Sequence, residues 1–209
     1  MTPLLTLAAV TKRYRQGTTV VTALDGVSMT VAAGERAVVH GPSGSGKTTL
    51  LNLLLGWETA DEGTVEGLLA APDWAAMAVI PQRLGLLEHL TVLDNVSLPG
   101  RVTRLVTAPK DLLGELGLDH VADRFPAEIS LGEQQRTACA RALVSGPRVL
   151  LADEPTSHQD DASAELLLAQ FRVAAGAGSA VVIASHDARL WSDADRRWAM
   201  SGGRLHDAT

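Results

Sequence analysis

The hydrophobic pattern changes period along the chain. Leu5, Leu7 and Ala9 alternate with Leu4, Thr6 and Ala8, and Val27, Met29 and Val31 alternate with Ser28 and Thr30. A period of two predicts strands. Gly17 and the stretch Ala32–Glu35 supply turns, so residues 4–40 read as several short strands. Arg36–His40 predicts a buried strand that ends at Gly41. Thr48–Gly56 then reads as a helix closed by its glycine.

The middle of the chain, about residues 84–146, is richer in helix signals and turns. Beyond it, Arg148–Pro155 predicts a strand, Asp161–Gly178 a helix and Ser179–Asp187 another strand. Two buried apolar strands joined by a helix predict a parallel βαβ unit. The fold class is therefore α/β. Internal repeats, low-complexity tracts and interdomain linkers are absent from the sequence.

The chain has 209 residues, enough for one domain with a sizeable core. Its net charge of −6 argues against a nucleic-acid partner, which would call for a basic face. The single cysteine, Cys139, lies in a helical apolar stretch and reads as a small core residue. A reducing compartment fits that usage. No apolar run approaches the roughly 18 residues of a membrane span. At the N-terminus the basic residues follow the apolar stretch, the reverse of a secretory signal. A cytoplasmic protein is expected, one that can still dock on a membrane protein.

Gly41–Thr48 reads GPSGSGKT and fits G-x-x-x-x-G-K-[ST] in full, after a strand and at the opening of a helix. Glycines let the backbone wrap tightly, so N–H groups and a helix N-terminus can face phosphates. Lys47 would bridge the β- and γ-phosphates, and the Thr48 hydroxyl would ligate Mg²⁺. The bland alternative is a glycine-rich turn before a lysine, but the strand and helix context favours nucleotide binding. The whole cradle comprises Gly41, Pro42, Ser43, Gly44, Ser45, Gly46, Lys47, Thr48 and Thr49.

Asp153 and Glu154 stand at the end of a buried apolar strand, the edge where open α/β sheets bind ligands. Asp153 would hold Mg²⁺, and Glu154 would polarise or deprotonate an attacking water. By themselves they could equally be two solvated acids opening a loop. After a phosphate loop, the catalytic reading carries more weight.

The phosphate loop, the acidic pair and Ser130–Arg136, which reads SLGEQQR, together resemble the ATP-binding subunit of ABC transporters. The resemblance covers nearly the whole chain. It implies a P-loop fold of ABC type, with a mixed sheet core, an antiparallel β subdomain and a helical subdomain at roughly 84–146, all in one domain over 1–209. By resemblance, Tyr14 is the aromatic that stacks on adenine, and Gln82 senses Mg²⁺ and the γ-phosphate. His186 resembles the histidine that contacts the γ-phosphate and orients water. A partly buried tyrosine and a structural strand-end histidine are the plainer readings of Tyr14 and His186.

The text after Gln82 is similar to the lipoprotein-releasing and macrolide-export subfamily, where this region touches a membrane subunit. The stretch from Gly56 to Gln82 is shorter than the family's, with an ordinary turn expected at Asp61, Glu62 and Gly63. Ser157–Asp160 resembles the loop that lies across the dimer interface. His158-Gln159 departs from it, because an apolar residue normally precedes the aspartate.

The family sandwiches ATP between two subunits, and the signature stretch of one caps the γ-phosphate held by the other. Ser130, Gly132 and the helix after them fit that cap, while Leu131 stands where the family has glycine. Ser130 and Glu133 also fit a helix capping box, and both readings can hold together. A left-handed backbone at Leu131 would cost about 1–2 kcal/mol. A side chain aimed at the phosphate would instead hinder closure. Intact Glu154 and His186 favour a weakened but usable cap.

The resemblance thus implies an ATP- and Mg²⁺-dependent ATPase subunit on the inner face of the cell membrane. It would pair with a second ATP-binding subunit, identical or different, and power a separate permease for export or extraction. A regulatory ATP-binding module with weak hydrolysis is the alternative. A soluble ABC ATPase acting on ribosomes or DNA lacks the second domain or long coiled coil expected of it. A small-molecule P-loop kinase leaves Gln82, Ser130–Arg136 and His186 without a role.

Overall fold

The computed structural model describes residues 3–67 and 76–208. Two long strands, β1 (Pro3–Gln16) and β2 (Thr19–Ala32), replace the several short ones expected. They pair antiparallel, with register shifts around Ala9 and Lys12. Ala9 itself has a left-handed backbone, with φ 49°. Each irregularity resets the alternation of side chains, so one bulged strand looks in sequence like several.

The third strand of this sheet, β4 (Glu62–Gly67), pairs with β1, and the sheet order is β2-β1-β4. The turn expected at Asp61–Gly63 is therefore largely strand. Gly63 is needed because a Cβ there would lie 2.4 Å from the Ala9 carbonyl oxygen, where β1 bulges toward it. Part of the shortened stretch between Gly56 and Gln82 lies outside the described residues.

A second sheet has the order β5-β6-β7-β3-β8-β9. Its strands are β3 (Arg36–His40), β5 (Met77–Ile80), β6 (Val149–Asp153), β7 (Ala180–Ala184), β8 (Arg196–Ser201) and β9 (Arg204–Asp207). All neighbours pair parallel except β9, which is antiparallel to β8 at the edge. The central strands β6 and β7 are buried at every residue. Their two faces serve different cores. Leu150, Ala152, Val181 and Ile183 pack into one, and Val149, Leu151, Val182 and Ala184 into the other. Burial on both faces explains why these strands read as continuous apolar runs.

Helix α1 (Lys47–Leu54) packs on the face shared with β1 and β2. The opposite face is covered by α2 (Val92–Ser97), α3 (Pro109–Glu115), α4 (Leu131–Leu143) and α5 (Asp161–Gly176). A short α6 (Ala188–Asp193) follows β7. Cys139 is buried in α4, and its apolar surroundings push the thiol up to about 12, so it is an inert core residue. Among the described residues, no helix is long and apolar enough to cross a membrane.

Candidate nucleotide-binding site

The strand β3 delivers the chain to Gly41, and α1 starts six residues later at Lys47. Gly46 caps that helix with φ 110°, and a Cβ on it would lie 2.4 Å from the Ala23 carbonyl oxygen. Only glycine allows β2 to close so near the loop. No side chain caps α1 and no acid sits in its first turn, so its leading N–H groups keep their positive end. Lys47 is buried and donates to the carbonyls of Gly41 at 2.6 Å and Pro42 at 3.2 Å. Ser45 is also buried, and its hydroxyl has no partner.

Across the loop, β6 ends in the acidic pair. Asp153 accepts a hydrogen bond from the Thr48 hydroxyl at 2.8 Å. Burial raises the Asp153 pKa, and the bond from Thr48 opposes that rise. Glu154 has φ 51°, so the chain bends sharply as it leaves the strand. A non-glycine residue holds such a conformation only when its surroundings fix it. Here the Glu154 N–H donates to Ala184 O at 2.8 Å, and its carbonyl accepts from Gln135 Nε2 at 2.8 Å. The Glu154 carboxylate accepts from the Ser185 hydroxyl at 2.9 Å and meets His186 Nδ1 at 3.0 Å.

The β1–β2 pair supplies the far wall. Tyr14 donates its hydroxyl to Glu58 and lies 3.5 Å from the Thr49 hydroxyl. Burial raises the Tyr14 pKa, and the bond to Glu58 adds to the rise. Glu58 is held in turn by Asn52 Nδ2 at 3.2 Å. Lys12 Nζ lies 5.6 Å from the centre of the Tyr14 ring.

A cleft of about 390 Å³ is lined by Tyr14, Ser43, Gly44, Gly46, Lys47, Thr48, Thr49, Gln82, Asp153 and Glu154, together with Val21, Thr22 and Ala23. The fold thus gathers residues spread over 140 positions into one opening. Gly41, Pro42 and Ser45 form the loop behind it, and His186 reaches it through Glu154. Ser130 and Gly132 do not line it.

Those two residues sit at the start of α4. Ser130 is the N-cap, accepting from Glu133 N–H at 3.3 Å, while Glu133 accepts from Ser130 N–H at 2.8 Å. The Ser130 hydroxyl lowers the Glu133 pKa. Leu131 is the first helical residue, with no positive φ, and is 48% exposed. The left-handed cost considered for Leu131 therefore does not arise. It lines a neighbouring groove with Leu84, Pro126 and Gln82, the last of which also borders the nucleotide cleft. Gly132 has no room to vary, because a Cβ would lie 2.9 Å from His158 O.

Sequence reasoning gave no role to Gln135, Ser185 or Glu58. Ser185 adjoins His186, and Gln135 lies inside the quoted signature stretch, so both carried a positional hint. Glu58 carried none, because its contact with Tyr14 joins residues 44 positions apart.

The residue set suits a nucleotide triphosphate. An uncapped helix start and a buried ammonium match phosphate charge, and the partnerless Ser45 hydroxyl lies in the same loop. Thr48 and Asp153 offer two hard oxygen donors at one point. Mg²⁺ characteristically takes one or two protein oxygens and completes its shell with phosphate and water. Clusters of three or more histidine, cysteine or carboxylate ligands are absent among the described residues.

Known proteins point the same way. The ABC transporter family profile matches residues 24–157. The chain is 40% identical to the macrolide export ATP-binding/permease protein MacB of Shigella flexneri, over 98% of this chain and 34% of that protein. It thus spans about a third of the length of that relative. It is 36% identical to the lipoprotein-releasing system ATP-binding protein LolD of Shewanella frigidimarina, over 97% of this chain and 92% of the relative. Among solved structures, a dimeric ATP-binding cassette in a post-hydrolysis state bound to ADP and Pi aligns with a TM-score of 0.89. That cassette is 28% identical, and 98% of each chain is covered. With motif, fold and relatives in agreement, the chain belongs to the ABC transporter family.

Proposed function

We propose that this cassette powers a membrane transporter by closing on ATP with a second cassette, and that residues 1–209 form one domain with a helical subdomain at roughly 84–146. The observation that carries the reading is the Glu154 carboxylate. It is held between Ser185 and His186, next to the Thr48–Asp153 pair, at the edge of the cleft.

In this reading Lys47 swings from the carbonyls of Gly41 and Pro42 onto the β- and γ-phosphates. Gly41–Thr49 cradles the phosphate chain, and Tyr14 stacks on the adenine. Glu154 accepts a proton from the attacking water, while His186 contacts the γ-phosphate and orients that water. Thr48, Gln82 and Asp153 would hold Mg²⁺, which offsets the phosphate charge when bound. Ser130 and Gly132 cap the nucleotide of the partner cassette with the start of α4. The cassette sits on the inner face of the cell membrane, where a separate membrane-spanning permease receives the motion. Export or extraction follows from the likeness to MacB and LolD, and no nucleic-acid partner is involved.

The test is the solution mass of the Glu154→Gln protein with and without ATP. An ATP-dependent dimer is the expected result, because blocked hydrolysis traps the closed state. A monomer that binds ATP yet never dimerises would sink the homodimer. It would direct the search to a partner chain with an intact Ser-Gly-Gly signature.

A further inference from the structure

The stretch His158-Gln159 is polar where the family carries an apolar residue, and the fold gives that polarity a use. Gln159 Nε2 donates to Gly132 O at 2.9 Å, and Gln159 Oε1 accepts from Arg136 Nη1 at 2.8 Å. Both partners belong to the first turns of α4. One helix turn inward, Gln135 is only 3% exposed. Its Nε2 donates to Glu154 O at 2.8 Å and lies 3.4 Å from the Ser157 hydroxyl. Its Oε1 accepts from His158 N–H at 3.2 Å and from Gln159 Nε2 at 3.4 Å. Two amide side chains thus carry six contacts between α4 and residues 154–159.

The target of the Gln135 donor is informative. Glu154 O belongs to the residue whose left-handed φ must be enforced from outside. A buried amide that loses either partner leaves a desolvated polar group, so the arrangement resists partial opening. The Gly132 backbone lies tight against His158 O as well, which leaves no slack between the two segments.

We infer that Gln135 is a positioning residue for Glu154, and that Gln159 locks the signature helix to the same loop, so that both segments move as one body. The consequence, provided Glu154 acts on water as proposed above, is mechanical. The cap a cassette offers to its partner's nucleotide and the carboxylate it applies to its own cannot shift independently.

The full chain and the variants Gln135→Met, Gln159→Leu and their combination test the idea. Gln135→Met keeps the shape and removes the amide, and Gln135→Asn is the milder second variant should the first not fold. Gln135→Met should lower kcat about tenfold, the worth of one buried hydrogen bond, with KM for ATP within about twofold. Gln159→Leu should lower kcat about threefold, and the combination should match Gln135→Met alone, because both act through one body. Backbone amides of residues 156–159 should exchange hydrogen roughly tenfold faster in each variant, without nucleotide, while α1 is unchanged. An unchanged kcat, a loss confined to KM, or multiplying losses in the combination would overturn the inference. Should the wild-type chain show no turnover, the functional reading fails. Amide exchange then decides alone: faster exchange at 156–159 upholds the lock, and unchanged exchange removes it.

Discussion

Thr48 and Asp153 share a 2.8 Å hydrogen bond across 105 positions of sequence. The first lies in the opening turn of the helix after the phosphate loop and the second ends a buried strand. Their meeting places two hard oxygen donors at the edge of the nucleotide cleft. Removing the hydroxyl should therefore weaken metal use more than nucleotide use. Thr48→Ala is expected to raise the Mg²⁺ concentration for half-maximal ATPase activity about tenfold or more, and Thr48→Ser to restore it. A Mg²⁺ titration of turnover measures this. An unshifted curve for Thr48→Ala would remove Thr48 from the metal site.

His186 touches the Glu154 carboxylate through Nδ1, and its side chain is otherwise largely exposed. In the proposed mechanism it contributes orientation rather than structure. His186→Ala should reduce kcat roughly a hundredfold and leave the melting temperature within a degree or two. Steady-state kinetics beside a thermal melt separates the two. A large drop in melting temperature would make the histidine a structural residue.

Leu131 sits in ordinary backbone at the start of α4 with half its surface in solvent. Leu131→Gly, the change toward the family signature, should thus relieve no strain in the free chain. It should instead lower stability by about 0.5 kcal/mol, because glycine loses more backbone freedom on folding. Urea unfolding would report this as a slightly lower midpoint. A midpoint that rises would mean the leucine is strained after all.

Asp187 caps α6 and accepts from Arg189 and from the Thr156 hydroxyl at 2.6 Å. Burial pushes its pKa up, but the bonds from Arg189 and Thr156 outweigh burial and hold it at about 2. The unfolded carboxyl titrates near its ordinary value of about 3.9. Its stabilising contribution is therefore complete above about pH 4 and disappears as pH falls toward 2. Asp187→Asn should lower the melting temperature at pH 7, and the gap to wild type should close between pH 4 and pH 2. Melts across that range check it, and a gap independent of pH would contradict the charge argument.

The sequence by itself determined the features that depend on neighbours along the chain. GPSGSGKT specifies a wrapped loop before a helix. Uninterrupted apolar runs specify strands buried on both faces, and Ser130 with Glu133 specifies a helix start. Each is local chemistry, legible without the rest of the molecule. Tertiary structure decided what depends on distant approach. Pairing made single long strands of what bulges had broken into short patterns, because register depends on a partner strand. Only packing could join Thr48 to Asp153, Tyr14 to Glu58 and Gln135 to the Glu154 carbonyl, since no periodicity encodes a contact between remote segments. Leu131 shows the same division. Its identity was plain in the sequence, but its cost depends on a backbone angle that the helix, and not the residue, sets.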